Sequence, residues 1–541
     1  DIKAAVPDYP YSSDCDAETV LAAYLKWGKD CVYHLKGMYA FAIYDRSDAS
    51  LFLVRDRIGK KPLYYSINDK GIVFGSVLAP IMEMPGIEKT INRRVLSRYI
   101  YQQYICAPDT IFENVYELEP GSWLSFKEGK TTHEKYWDIA ECYDKYSYSQ
   151  VDDFDEAKFT LKNLITDSVK RRLMSDVPLG TFLSGGYDSS LVSAVAQSLS
   201  GDPIKTFCIG FEDKAHDESG YAEAVARHLG TDHETLIINE KMMLELVESI
   251  PKFFDEPFAD SSQIPTMLVS SLARSKVTVA LSGDGGDEFY CGYNVYDMVS
   301  RAQKLDSLGD LAYSLTNPLK LTKHLPFKVR VVAENRGSNT KTQLGAPGYF
   351  ELAEDLVNRS YEGESLPVRY ETEDRYVTDD WAVKRMLLDM DTYLPGDILT
   401  KVDRSSMKYS LECRCPLLDQ DVMEYSFRIP QKFKYTESGD KKHILKEIAY
   451  DYIPRELLDR PKKGFGVPLN LWMRGPLKEE LLSLSEPSFV RDQGLFNEDR
   501  VSSMVKKFMR SGDAGPGTGM NYSKFCWSYL VFQMWYRYYI G

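Results

Sequence analysis

Residues Thr181–Val195 read TFLSGGYDSSLVSAV. The apolar run Val177 to Leu183 leads into a glycine pair, serines and an aspartate, after which Leu191, Val192, Val195, Ala196 and Leu199 recur at helical spacing. The spacing predicts a strand that turns through Ser184–Ser190 into the start of a helix. Gly185 and Gly186 let the backbone approach an anion closely, and the hydroxyls of Ser184, Ser189 and Ser190 join the helix-start amides in pointing donors at it. A polyphosphate fits such a loop. Asp188 stands where a carboxylate complements the helix dipole and where it can also ligate magnesium carried on phosphates.

The same rhythm continues outward. Ile204 to Phe211 predicts a second strand, followed by a helix carrying Ala222, Val225, Ala226 and Leu229. Glu234 to Ile238 is a third strand. Met242, Met243, Leu246, Val247 and Ile250 line one helix face, and Val277 to Leu281 is a fourth strand. Alternation of this kind predicts a parallel sheet covered on both faces, with ligands at the C-terminal strand ends. The fourth strand runs into LSGDGGDE, Leu281–Glu288, a second glycine-rich acidic loop at the same sheet edge. Lys304 to Asp380 is irregular and predicts helices with long loops. Upstream, Thr19 to Leu25 suggests a short helix, and Leu35 to Phe74 is β-rich, with apolar runs at Tyr39–Tyr44 and Leu51–Val54. The polar stretch Thr131–Asp155 is the best boundary, dividing the chain into 1–135 and 150–541.

A chain of 541 residues allows two to four domains. Its net charge of -14 argues against nucleic-acid binding, so any phosphate site must be local. The nine cysteines show no zinc-like spacing and read as reduced thiols. No apolar run is long enough to span a bilayer, which sets the expectation of no membrane partner and a cytoplasmic location.

The first loop lacks the Walker form GxxxxGK[ST] and matches instead the SGGxDS loop of ATP-pyrophosphatases. Adding DEPFADSSQIPT (Asp255–Thr266), TYLPGDILTKVDRSSM (Thr392–Met407), LECRCPLLD (Leu411–Asp419) and RPKKGFGVP (Arg460–Pro468), the chain resembles class II glutamine-dependent asparagine synthetases from about Asp16 to Trp535. The resemblance implies an α/β architecture: an N-terminal partial Ntn-hydrolase α/β/β/α sandwich, then an ATP-pyrophosphatase doubly wound parallel sheet with a helical C-terminal part. It implies ATP and Mg2+ as cofactors and aspartate with glutamine or ammonia as substrates. A homodimer is left open. Leu183, Ile209, Ser282 and Gly283 would line the nucleotide. Ser184, Gly185, Gly186, Asp188, Ser189 and Ser190 would hold pyrophosphate, with Asp188 and Asp287 on magnesium. Asp284 matches the acidic position linked to acyl-adenylate formation, and Lys462 the lysine that stabilises that transition state. Attack of a carboxylate on the α-phosphate builds negative charge, and Lys401, Arg404, Arg460, Lys462 and Lys463 are the cations expected to meet it. His228 and His233 read as structural. Amidation of another carboxylate, or a silent scaffold, are the competing readings; the intact loops argue against the second.

The first 130 or so residues resemble the later part of an N-terminal-nucleophile glutaminase, through LKGMYAFAIYDR, LFLVRDRIGKKPLYY and APDTIFENVYELEPGSW. Asp16 matches the aspartate that recognises the α-amino group of glutamine, and reads equally as a helix-start carboxylate. The family nucleophile is an N-terminal cysteine, whereas residue 1 here is Asp. The expectation is a truncated chain, because a sheet cut through would expose an unpaired edge. Two positions depart from the family pattern. Val77 replaces an acidic residue, and Tyr187 replaces a leucine, a change expected to alter packing only.

Overall fold

In the computed structural model the described residues are 2–212, 217–318, 321, 325–326, 329–330, 333, 349–358, 375–460, 467–510 and 521–541. The apolar runs of the N-terminal half become strands β1 (Ala40–Asp45), β2 (Ser50–Arg55), β3 (Tyr64–Asn68), β4 (Gly71–Gly75), β5 (Val115–Glu117), β6 (Ser122–Lys127) and β7 (Lys130–Lys135). They pair antiparallel in two sheets, ordered β1-β2-β6-β7 and β4-β3-β5. Strand β2 is apolar at successive positions because both of its faces are covered. Leu51 and Leu53 face the second sheet, meeting Leu63, Leu118, Tyr65 and Ile72. Phe52 and Val54 join the cluster that holds Ala23 and Tyr24 of the helix Asp16–Trp27. Helix Arg93–Gln102 covers the opposite side, where Leu96, Tyr99 and Ile100 share a cluster with Tyr64. The result is the four-layer sandwich that the resemblance implied.

Beyond it lies a sheet of five parallel strands, β8 (Leu179–Phe182), β9 (Lys205–Phe211), β10 (Asp232–Ile238), β11 (Val279–Leu281) and β12 (Glu412–Arg414), in the order β10-β9-β8-β11-β12. The first four match the expected strands, with the ends trimmed in β8, β9 and β11 and the start extended by two residues, to Asp232, in β10. Pro178, which has no N–H to give to a ladder, stands just outside β8. Strand β12 was not anticipated: three residues with a single apolar side chain between Glu412 and Arg414 carry no period-two signal. The expected helix through Ile250 breaks after Val247, and a new turn begins at Ile250 with Pro251 in its first positions, where a missing N–H costs nothing. Of the irregular region, helices Asp306–Thr316 and Tyr349–Leu356 are described, while the stretch AENRGSNTKTQLGAPGY falls almost wholly outside the described residues.

The polar stretch Thr131–Asp155 is more than a connector. It includes most of β7 and the helix Ile139–Ser147, which buries Ile139, Ala140 and Cys142. Both large apolar clusters contain residues from the two halves of the chain. The aromatic helix Tyr522–Tyr539 illustrates this. Its Ser528 carbonyl accepts from Tyr99 Oη at 2.9 Å, and the indoles of Trp527 and Trp535 donate to the Ala259 and Asp255 carbonyls at 2.8 Å. The donors of these two buried indoles are therefore satisfied. Among the described residues no helix is long and apolar enough to cross a membrane.

Polar contacts fix the halves in register. Lys60 Nζ donates to the Leu418 carbonyl at 2.6 Å, and Lys61 pairs with Asp403 at 2.8 Å. Arg404 reaches the Ser76 carbonyl at 3.1 Å, the Leu78 amide donates to Asp255 at 3.0 Å, and the Ile111 amide donates to Glu256 at 2.6 Å. Burial, with the charges of Glu117 and Asp255 added, raises the Glu256 carboxyl well above its ordinary 4.5, against the opposing pull of the Ile111 amide. A raised folded-state value stabilises the fold below 4.5 and forfeits that contribution as pH rises. Glu256→Gln keeps an acceptor for Ile111 and removes the penalty. We expect its melting temperature to equal that of the parent near pH 4.5 and to exceed it by about 2–4 °C at pH 8 in a thermal scan.

Candidate active site

In the order β10-β9-β8-β11-β12 the direction of winding reverses between β8 and β11, and in open α/β sheets ligands bind outside the C-terminal strand ends at such a reversal. The two glycine-rich loops leave the sheet at these two strands. After β8 the chain turns at Gly185, whose φ is +71°. A Cβ at Gly185 would lie 2.9 Å from the Ala222 amide nitrogen, so both conformation and space require glycine. Ser184 and Ser189 then close the loop on itself: their hydroxyls are 2.9 Å apart, and the Ser184 N–H donates to Ser189 Oγ at 3.1 Å. Helix Tyr187–Ser198 starts there, capped by Gly186, and its first amides have no acceptor within the helix. Ser184, Gly186, Asp188 and Ser189 are half-buried and line the accessible side. Leu183, Gly185 and Ser190 are buried.

The second loop packs on the first. A Cβ at Gly286 would stand 2.5 Å from Asp188 Oδ1, and one at Gly283 only 2.7 Å from the Ser189 nitrogen. Ser282 Oγ donates to Asp284 Oδ2 at 2.7 Å, setting the orientation of that carboxylate. Burial raises the Asp284 carboxyl above its ordinary range; Ser282 and the charge of Lys401 oppose this, and Asp188 and Asp287 add to it.

Between the loops sits a cation that sequence reasoning missed. The Lys442 ammonium pairs with Asp188 and lies 2.6 Å from Asp287 Oδ1. Burial works to lower the Lys442 pKa, but the two carboxylates outweigh it and the group is raised. Lys442 adopts φ +54°, a left-handed conformation unusual for a residue with a side chain. It caps the helix His443–Ala449. A signal was present in SGDKKHILK, because lysines at a helix N-terminus oppose the dipole unless anions face them.

The other expected cations divide. The guanidinium of Arg460 lies 2.9 Å from Glu218 and 3.5 Å from the Ser184 carbonyl, at the first loop. Lys401 is held by Asp260 at 2.7 Å, although its charge still reaches Asp284. Arg404 does not serve this site: it turns to Tyr64, Ser76 and Asp255, across the contact with the N-terminal half. Lys462 and Lys463 lie outside the described residues. Ile209 is buried in β9 within an apolar cluster. Asp16 is exposed at the start of its helix and accepts from the Ala17 amide at 2.8 Å, as a helix-start carboxylate does. His233 bonds Thr206 at 2.8 Å, and His228 contacts the Tyr452 carbonyl at 3.0 Å, both away from the loops. Tyr187 does more than alter packing, since its hydroxyl donates to Asp459.

Among the described residues no group of three or more His, Cys, Asp or Glu side chains could hold a metal ion. Asp188 and Asp287 nevertheless converge on one positive charge. Two carboxylates suit a hard cation that completes its shell with phosphate oxygens and water. The arrangement as a whole can cradle a polyphosphate between loop amides, hydroxyls and cations.

Comparison with known proteins supplies the family. The family model described as asparagine synthase matches residues 160–537, and that of the glutamine amidotransferase domain matches residues 2–137. Asparagine synthetase (glutamine-hydrolyzing) 1 of Bacillus subtilis is 29% identical over 544 residues, covering 98% of this chain and 82% of that protein. Asparagine synthetase (glutamine-hydrolyzing) 3 of the same organism is 27% identical, covering 84% of this chain and 71% of that protein. Amidase chry2 of Gibberella zeae is 25% identical, covering 91% and 78%. With the first model spanning more than half of its length, the chain belongs to the asparagine synthase family of ATP-dependent, glutamine-hydrolysing ligases.

Proposed function

We propose that the protein converts aspartate to asparagine through a β-aspartyl-AMP intermediate, with nitrogen from glutamine or ammonia and release of AMP and pyrophosphate. The observation that carries this reading is the meeting of two acidic glycine-rich loops at the strand-order reversal, joined by Lys442. A loop without the Walker lysine suits a pyrophosphate leaving group better than γ-phosphate transfer. The polyphosphate would be held by Ser184, Gly186, Asp188 and Ser189, with the nucleoside between Leu183, Ile209, Ser282 and Gly283. Asp188 and Asp287 would hold Mg2+, which neutralises charge on the departing pyrophosphate.

In the first step an acceptor carboxylate oxygen attacks the α-phosphorus and the bond to the β-phosphate oxygen breaks. Negative charge accumulates around phosphorus, and Arg460 and Lys462 are the cations assigned to it. Asp284, fixed by Ser282, would orient the acyl-adenylate. In the second step ammonia attacks the acyl carbon and AMP departs, leaving an amide. Positioning and fixed charge do this work, so no histidine is required. Asp16 is assigned to the α-amino group of glutamine.

A second reading, amidation of a different carboxylate, is favoured by the likeness to an amidase across most of the chain. Pyrophosphate release measured with ATP, magnesium, ammonium chloride and a panel of carboxylic acids separates the two. We expect aspartate-dependent release with asparagine as product, reduced at least about 100-fold by Asp188→Ala. Release only with another acid would exclude aspartate as acceptor. Lys442→Met should cost about 2 kcal/mol in urea unfolding, because two half-buried like charges lose their buried counter-ion. Adding Asp287→Asn to that variant should recover part of the loss.

A further inference from the structure

The first loop carries a residue that the chemistry above leaves unused. Tyr187 is the first residue of its helix, and its hydroxyl donates to Asp459 Oδ1. Tyr450 donates to the same oxygen, and the two hydroxyls are 3.5 Å apart. Hydrogen bonds onto a carboxylate are stronger than those between neutral groups. Burial tends to raise the Asp459 carboxyl, but the two phenols prevail and hold it below the usual range. Cations flank both rings: Lys446 Nζ lies 4.9 Å from the Tyr187 centroid, and the Arg455 guanidinium 4.1 Å from that of Tyr450.

The next residue along the chain is attached as well. Arg460 bonds the Ser184 carbonyl and Glu218, and its guanidinium stacks 4.1 Å from the Tyr221 ring centroid. Two consecutive residues, Asp459 and Arg460, are thus fastened to Tyr187 and Ser184, near the two ends of the phosphate loop. The leucine usual at position 187 would fill space but has no donor, so only tyrosine forms the first of these links. Tyr450 cannot replace it, because Tyr450 and Asp459 lie on the same C-terminal segment and their bond does not cross to the loop.

We propose that Tyr187 is a positioning residue which, through Asp459, fixes Arg460 against the phosphate loop. This rests on the adenylation reading, in which Arg460 is one of the cations that act on ATP. It separates alignment from affinity: the loop's own amides and hydroxyls bind the polyphosphate, while the Tyr187–Asp459 link sets where the Arg460 charge is delivered. Loss of the link should therefore lower kcat and leave ATP binding nearly intact.

The test uses the full chain and the variants Tyr187→Phe, Asp459→Ala, Asp459→Asn, Tyr450→Phe and the double variant Y187F/D459A. ATP-magnesium affinity is measured by calorimetry, kcat and KM by pyrophosphate release, and unfolding midpoints by thermal scans. Y187F and D459A should each lower kcat about tenfold, with ATP affinity changed less than about threefold. D459N still presents an acceptor oxygen and should retain about half of the activity. Y450F, which leaves the cross-link in place, should stay within about threefold of the parent. The double variant should be no worse than its weaker parent by more than about twofold, since both substitutions remove the same Tyr187–Asp459 bond. Unchanged kcat in Y187F, equal losses in Y450F and Y187F, or multiplicative losses in the double variant would each overturn the proposal. A fall in kcat matched by an equal loss of ATP affinity would do the same. Parent protein that binds ATP but releases no pyrophosphate with any acid would sink the adenylation reading instead. The link is then decided by the unfolding midpoints, where additive effects of Y187F and D459A would refute it.

Discussion

Two ionised carboxylates held close together in a partly buried site repel each other strongly unless a positive charge stands between them, and the active-site end of the parallel sheet is built around that constraint. Asp188 and Asp287 come from separate loops, and Lys442 comes from a third segment. Removing charges from water is costly, and their mutual attraction must repay it. The three segments are therefore mutually dependent. Gly283 and Gly286 are needed because the second loop lies directly on Asp188 and Ser189. Gly292 leaves room for the lysine, since a Cβ there would stand 2.1 Å from Lys442 Cε and 2.0 Å from Asp287 Oδ1. The left-handed backbone of Lys442 is a local cost borne for this placement.

The same economy of charge governs the contact between the two halves. Arg404 was a natural candidate for the phosphate site, yet it serves the contact, bonding Ser76 and facing Asp255. The neighbouring lysine, Lys401, points toward the carboxylates of Asp260 and Asp397 instead. Val77 lacks the acid usual at its position, but the contact does not need it. Asp255 binds the Leu78 amide and Arg404 binds the Ser76 carbonyl, so backbone groups on either side of Val77 carry the interaction. Shared apolar clusters seal the rest. A glutaminase half and a ligase half joined this closely present a continuous buried interior, in contrast to domains strung on a polar linker.

Much of the ligase fold could be read directly. Strands β8 to β11 announced themselves as apolar runs broken by glycine, and the amphipathic spacing between them gave the helices. The phosphate loop was legible because strand, Gly-Gly turn and serine-rich helix start occur consecutively. Strand β12 was hidden, being three residues long and stabilised by its neighbour β11 rather than by its own pattern. Tyr187 was misjudged for a similar reason. Its partner Asp459 is remote in sequence, so only its apolar ring could be weighed.

The sequence by itself determined the local objects: which of the longer patterned segments are strands or helices, where the chain turns tightly, and which loops offer donors and carboxylates to a nucleotide. These follow from periodicity, backbone freedom and side-chain chemistry within a few residues. Tertiary structure alone decided which charges meet. Lys442 was brought to Asp188 and Asp287, Arg404 was drawn away to the other half, and Arg460 was set beside Ser184. The physical reason is that pairing energy depends on distance and burial in space. Both are settled only when the sheet order reverses between β8 and β11 and the chain ends fold back on it.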